Sequence, residues 1–111
     1  MASFSVGAVV LIPFPFSDLS QYKVRPAVCL AVLTSVDVIL CQVTSNRYGD
    51  GEAVEVQSID LEYGTLLHLS YARPGKLFTA GSTIIQRQVG QLSTEKTAEL
   101  LNAVVSQFRT T

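Results

Sequence analysis

Charged residues are scarce in this sequence: they make up 15% of its 111 residues, while hydrophobic residues make up 48%. A typical soluble domain has about 25% charged residues, so this chain carries surplus apolar surface. No apolar run reaches the roughly 18 residues of a membrane span. The first residues also lack the basic segment of a secretory signal. We therefore expect one domain, residues 1–111, that buries part of its apolar surface in a homo-oligomer.

The sequence also has no excess of basic residues. The formal net charge is −1, and the sequence pI is near 5.7. A protein that coats nucleic acid non-specifically needs a broad basic face, so that class is excluded. A local groove with a few concentrated arginines remains compatible with this charge.

The familiar motifs of active sites are absent too. The sequence has no glycine-rich phosphate loop, no CxxC, no HExxH and no nucleophile elbow. Cys29 and Cys41 lie in apolar runs and are interpreted as buried thiols in a reducing cytosol; the alternative, a disulfide, requires that their strands pair in the right register. A metal site at the cysteines would lack further ligands, and no metal and no cofactor are expected. The single histidine, His68, has two interpretations: a general acid or base, or a half-exposed histidine in a sheet.

What the sequence does contain is a series of short apolar runs. They predict strands at 6–12, 25–34, 36–44, 53–57, 66–71, 76–79 and 82–92, with a turn at 58–64 and breaks at Pro74-Gly75 and Ala80-Gly81. Ser93 is a predicted N-cap, followed by a helix that ends near Arg109. Its apolar stripe is predicted to contain Thr97, Leu101, Val104 and Phe108. The fold class is therefore mainly β with a C-terminal α-helix, built as a small, strongly bent β-barrel.

Two strand ends carry the groups best suited to chemistry. Arg25 precedes Pro26, which holds the preceding residue in an extended conformation. Thr44, Ser45 and Asn46 close the next long strand. If these strands pair in an antiparallel manner, Thr44 comes to lie beside Arg25. A guanidinium next to a hydroxyl suits a phosphate; the alternative for Arg25 is a surface salt bridge.

Three segments together carry a resemblance to a known family. They are "GAVVLIPFPFSDLSQYKVRPAVCLAV", "VILCQVTSN" and "LSYARPGKLFTAGSTIIQRQVGQLS". In this order they resemble the PemK/MazF family of toxin–antitoxin ribonucleases over nearly the whole chain. The most specific parts are the loop that ends in Arg25-Pro26 and the Thr44-Ser45 pair.

The resemblance implies a compact SH3-like β-barrel, the PemK/MazF/CcdB-like toxin fold, working as a cytoplasmic homodimer that inhibits growth. It implies metal-independent cleavage of single-stranded RNA to 2′,3′-cyclic phosphate and 5′-hydroxyl ends. A cognate antitoxin would place its C-terminal segment in the RNA groove. Arg25 and Thr44 would be catalytic, with Arg25 stabilising the phosphorane and Thr44 holding a phosphate oxygen.

Further residues are candidates for RNA contact. They are Ser20, Gln21, Lys23, Ser45, Asn46, Arg73 and Lys76. For the second Arg-Pro motif, at Arg73, a solvated turn is the alternative. The loop at 13–24 would form a wall of the groove, where Phe14, Phe16 and Tyr22 either stack on bases or pack in the core and the dimer. The chain departs from the family pattern at Ala8, Ser20 and Gly75, where relatives often carry carboxylates.

An alternative function keeps the fold without the nuclease. Such a protein would be a CcdB-like gyrase poison, or a degenerate toxin that only binds RNA or an antitoxin. This chain has no tryptophan, and its last residues, 107–111, differ from the aromatic C-terminal tip of gyrase poisons. Cleavage of RNA separates the nuclease from both binders.

Overall fold

A curled antiparallel sheet with one C-terminal helix forms the body of the molecule. The computed structural model describes residues 4–15, 22–34, 36–66 and 68–109. Its strands are β1 (Ala8–Pro15), β2 (Tyr22–Val32), β3 (Asp37–Thr44), β4 (Val54–Val56), β5 (Leu61–Gly64), β6 (Ser70–Gly81) and β7 (Arg87–Leu92), followed by α1 (Thr94–Ser106). Short 3₁₀ turns occupy Ser58–Asp60 and Ser82–Ile84. The predicted fold class, mainly β with a C-terminal helix, is confirmed.

The strands follow the order β4-β6-β3-β2-β1-β7-β5, and every neighbouring pair is antiparallel. Val54 and Val56, from one edge strand, share a core cluster with Leu92 near the opposite edge. Those residues can meet only if the sheet curls, so the architecture is a half-barrel.

Both faces of the central strands are covered, which explains their uninterrupted apolar runs. Val9 and Val28 face the cluster that also contains Leu100 of the helix. Their neighbours in the strands, such as Val10 and Cys29, face a second cluster. Since side chains alternate between faces along a strand, a strand buried on both sides must be apolar at nearly every position.

The helix begins where the sequence predicts. The Ser93 hydroxyl accepts a hydrogen bond from the Lys96 backbone N–H at 3.0 Å, the geometry of an N-cap. The helix ends at Ser106, earlier than expected. The predicted stripe is partly wrong, because Leu100 is fully buried while Phe108 is 74% exposed.

Four of the predicted strands, breaks and turns need correction. Strand β6 runs without a break through Pro74-Gly75, because the register against β3 shifts there and a bulge accommodates a proline. It also continues through Ala80-Gly81, where β6 pairs with β3. The predicted turn at 58–64 contains a strand, β5, and the start of the predicted strand at 82–92 is a 3₁₀ turn.

In the part of the chain that the structure describes, no helix has the length and apolar character needed to cross a membrane.

Candidate functional site

A groove with a volume of about 740 Å³ opens at the end of the curled sheet. Its lining comes from five strands and the segment between β5 and β6. The lining residues are Leu11, Val24, Arg25, Pro26, Thr44, Ser45, Thr65, Leu66, His68, Ser70, Arg87, Gln88 and Val89. The groove therefore contains Arg25, Thr44 and Ser45, three of the residues that the sequence singled out.

The register of β2 against β3 explains why Arg25 and Thr44 meet. Ala27 pairs with Gln42, and continuing this antiparallel register by two residues places Arg25 opposite Thr44. The predicted pairing of these two strands is confirmed. On its other side Arg25 lies opposite Ile12 of β1. Arg25 is therefore flanked by β1 on one side and by the end of β3 on the other.

Thr44 is a buried hydroxyl held in a defined place. It is 4% exposed, and its Oγ1 accepts a hydrogen bond from the Asn46 N–H at 3.2 Å. A threonine hydroxyl can accept two hydrogen bonds and donate one. The contact with Asn46 uses an acceptor position and leaves the proton available for a ligand oxygen.

The opposite wall of the groove contains residues that the sequence analysis did not assign to a site. Arg87 of β7 pairs with Leu11 of β1, which brings a second guanidinium-bearing residue to the groove. Gln88 follows, and its Nε2 donates to the Tyr63 hydroxyl at 2.7 Å and to the Gly90 carbonyl at 3.0 Å. The polar run Gln86-Arg87-Gln88 within an otherwise apolar strand pattern was the available signal.

The lining is cationic although the chain as a whole is slightly acidic. Among its described residues Arg25 and Arg87 are cations, His68 is titratable, and none is a carboxylate. Apolar side chains, including Leu11 and Val89, form much of the remaining wall. Arginines between apolar walls create a strong local positive potential.

Arg73 lies outside this lining and organises the loop after β3. Its Nε donates to Asp50 Oδ2 at 3.1 Å, and its guanidinium carbon lies 5.4 Å from the centre of the Tyr48 ring. The pKa of Asp50 is lowered, first by the hydrogen bond from the Glu52 N–H and then by Arg73. Tyr48 has a positive φ of 53°, so these contacts hold a strained turn.

The other predicted RNA contacts occupy different places. Asn46 is exposed and its Oδ1 accepts the Tyr48 N–H at 2.8 Å, while Lys23 and Lys76 are exposed outside the groove lining. Ser20 and Gln21 lie outside the described residues, as does the rest of 16–21. The two ends of the predicted loop at 13–24 are not loop but belong to the paired strands β1 and β2.

Of the aromatic candidates for base stacking, Phe14 packs edge-on against Phe78, with ring centres 5.1 Å apart, beside the second core cluster. Phe16 and the side chain of Tyr22 lie outside the described residues.

Cys29 and Cys41 are buried thiols, and burial raises the pKa of Cys41 to about 12. Over the ranges that the structure describes, no three histidine, cysteine or carboxylate side chains are placed to hold a metal ion.

The molecule is therefore a curled half-barrel with a packed helix and a groove lined by Arg25 and Arg87 at its open end. The sequence matches, over residues 5–108, a family model described as PemK-like, MazF-like toxin of type II toxin–antitoxin system. The chain belongs to this family of toxins. No match among curated proteins reaches significance.

Solved structures share the fold at low sequence identity. The MazE–MazF complex from Deinococcus radiodurans has 17% identity, covers 97% of each chain and gives a TM-score of 0.77. An endoribonuclease in complex with its cognate antitoxin, from Mycobacterial species, has 15% identity over 97% of this chain and 95% of that chain, with a TM-score of 0.72. The Mycobacterium tuberculosis toxin MazF-mt6 has 18% identity over 89% and 95%, with a TM-score of 0.67.

Proposed function

We propose that this toxin is a metal-independent endoribonuclease that cleaves single-stranded RNA. The observation that carries the proposal is the meeting of Arg25 and Thr44 in a cationic groove. Structural relatives described as endoribonucleases support the same reaction class. The substrate would bind with its phosphate between the two side chains.

In the proposed reaction the 2′-hydroxyl attacks the adjacent phosphorus and the 5′-oxygen leaves. The products are a 2′,3′-cyclic phosphate and a 5′-hydroxyl. Arg25 stabilises the extra negative charge of the phosphorane, because a guanidinium stays protonated and offers a planar donor fork. Thr44 donates its hydroxyl proton to a phosphate oxygen, since an acceptor position is already used by Asn46.

RNA on either side of the reacting phosphate would extend beyond the groove. Ser45 lines the groove beside Thr44, and Lys23 and Asn46 lie near the ends of the same two strands. Ser20, Gln21, Arg73 and Lys76 complete the proposed contact set, with Arg73 acting through the loop that it holds in place.

The proposed partners are a second copy of the chain and a cognate antitoxin. Exposed apolar side chains gather near the β2–β3 turn, where Val32, Leu33 and Val36 lie close to the 3₁₀ turn that contains Ile84. Covering them would support a homodimer. The cationic groove would accept the antitoxin's C-terminal segment, and the toxin would act in the cytoplasm, where its RNA substrates are found.

The test is cleavage of a long single-stranded RNA in EDTA, with the 5′ ends mapped and their hydroxyl groups identified. Arg25→Ala is compared with Arg25→Lys, which keeps the charge without the donor fork. Thr44→Val keeps the volume without the hydroxyl, and Thr44→Ser restores the hydroxyl. Loss of one such donor is expected to lower the rate by about 10²–10³-fold.

A surface variant, Asn102→Ala on the exposed side of α1, is the control. It should fold and cleave RNA like the wild type, which excludes losses that arise from purification or from any substitution. Discrete cuts with 5′-hydroxyl ends that depend on Arg25 and Thr44 would support the proposal. Intact RNA with folded wild-type protein would overturn it, and so would cleavage that requires a divalent cation.

A further inference from the structure

The proposed reaction needs a group that moves protons, and the groove contains few choices. Among its described lining residues the titratable side chains are Arg25, His68 and Arg87. Arginine does not deprotonate in proteins, whereas histidine changes its charge near neutral pH. By chemistry, His68 is the lining residue suited to proton transfer.

His68 lies on a short segment that is held from both sides. The Ser70 hydroxyl donates to the His68 carbonyl oxygen at 3.0 Å. On the preceding side, the Ser58 hydroxyl donates to the Leu66 carbonyl oxygen at 3.2 Å and accepts from the Leu66 N–H at 3.3 Å. These contacts hold the described residues at His68 and on either side of it, and the exposed His68 lines the groove.

The topology places His68 across the groove from Arg25. His68 comes two residues before β6, and β6 and β2 lie on opposite sides of β3. Thr44, on the strand between them, pairs with Tyr71 of β6, three residues after His68. Arg25, Thr44 and His68 all line the same groove, so a phosphodiester bound there would lie among the three side chains.

We propose that His68 is the general acid that protonates the leaving 5′-oxygen, an inference that rests on the proposed endoribonuclease function. The bond from the 2′-oxygen to phosphorus forms while the bond from phosphorus to the 5′-oxygen breaks. The imidazolium gives its proton to the departing oxygen, and the 2′-hydroxyl proton passes to solvent. One proton is lost and one is gained by the RNA, so the reaction balances.

The charges around the groove fit this role. Arg25 from β2 and Arg87 from β7 are the charged residues of the described groove lining, and both would face the bound phosphodiester. Tyr63 of β5 is engaged by Gln88. Of the nearby carboxylates, Glu55 of β4 accepts a hydrogen bond from Gln57 at 2.9 Å, and Glu62 lines a separate cavity beside α1.

The decisive test compares two leaving groups. A short RNA containing the mapped cleavage site is made with its ordinary 5′-oxygen, and again with sulfur in place of that bridging oxygen. A thiolate leaves without being protonated, so a general acid is needed only for the oxygen substrate. For His68→Ala we expect a loss of about 10²–10⁴-fold on the oxygen substrate and little loss on the sulfur substrate.

Three further measurements distinguish a role of His68 in the reaction from a role in the fold. Leu69→Ala changes the neighbouring exposed residue, which lies outside the groove lining, and should keep wild-type rates on both substrates. In the wild type kcat should decline as pH rises and the imidazolium is lost, and this limb should disappear in His68→Ala. Circular dichroism checks that both variants are folded.

An equal loss on both substrates would overturn the general-acid role, as would an unchanged rate or a surviving pH limb. Failure of the wild type to cleave RNA would instead refute the proposed function itself. The two failures are therefore distinguishable in one series of assays.

Discussion

Gly64 is predicted to be one of the least replaceable positions in the fold. It ends β5 with a φ of +93°, a conformation that side chains rarely adopt. A Cβ there would lie 2.2 Å from the Val89 carbonyl oxygen and 2.6 Å from the Gly90 Cα. Both atoms belong to the backbone of β7, which is paired with β1 on one side and with β5 on the other, so β7 cannot yield easily and the clash has to be relieved at the edge strand β5.

The cost of Gly64→Ala has two parts. The left-handed backbone contributes about 1–2 kcal/mol, and forcing an extra carbon into packed backbone contributes about 1–3 kcal/mol or more. The sum, roughly 2–5 kcal/mol, is a large share of a small domain's stability. Gly49→Ala is the matched control, because Gly49 also has a positive φ, +72°, but nothing lies within 4 Å of its Cβ position.

Urea denaturation of both variants measures the difference. Gly49→Ala should lose only the backbone contribution, about 1–2 kcal/mol, while Gly64→Ala should lose at least twice as much. Hydrogen exchange should also show reduced protection along β5 and β7, and the groove wall at Val89 should loosen. Equal losses for the two variants would refute the steric reasoning.

Other predictions concern local contacts. Ser93→Ala should lower the free energy of unfolding by about 1 kcal/mol, because the N-cap hydrogen bond to the first turn of α1 is lost; Ser93→Gly should cost less, and urea titration measures both. The lowered pKa of Asp50, due to the Glu52 N–H and then Arg73, means that the folded state binds fewer protons than the unfolded state. The stability advantage of the wild type over Asp50→Asn should therefore be full at neutral pH and should be lost progressively as the pH falls from about 4 through the lowered pKa of the folded-state carboxyl, as thermal melts across that range would reveal. The Cys41 thiol, with its pKa raised to about 12 by burial, should resist alkylation at pH 8 in the native protein and react once urea unfolds it.

Signals that act over short distances could be read from the sequence. Ser93 correctly predicted the start of the helix, because the N-cap hydrogen bond joins residues that are only three apart in sequence. The neighbourhood of Arg25 and Thr44 was also predictable, since a short connection makes β2 and β3 antiparallel neighbours and the register then follows. What these two residues do stays a prediction.

Features that depend on distant parts of the chain could not be read in this way. Arg87 reaches the groove only because β7 pairs with β1, a pairing of strands far apart in sequence. Pro74 remains within a strand because the opposite strand shifts its register there. Which side of α1 faces the core depends on how the helix docks. For this reason the predicted stripe omitted the buried Leu100 and included the exposed Phe108.

The distribution of charge explains how a slightly acidic protein presents a cationic groove. Two of its cations are engaged elsewhere: Arg73 pairs with Asp50, and Lys96 pairs with Asp60 and Glu99. The carboxylates of these pairs lie outside the described groove lining, where Arg25 and Arg87 lie between apolar walls. Because low-dielectric walls focus the field of nearby charges, a few arginines produce a strong local potential without a basic surface. Under the proposed function, such a site would hold one RNA phosphate while the rest of the surface would not attract RNA. Because phosphate contacts carry no sequence information, the choice of cleavage site would depend on contacts with the bases.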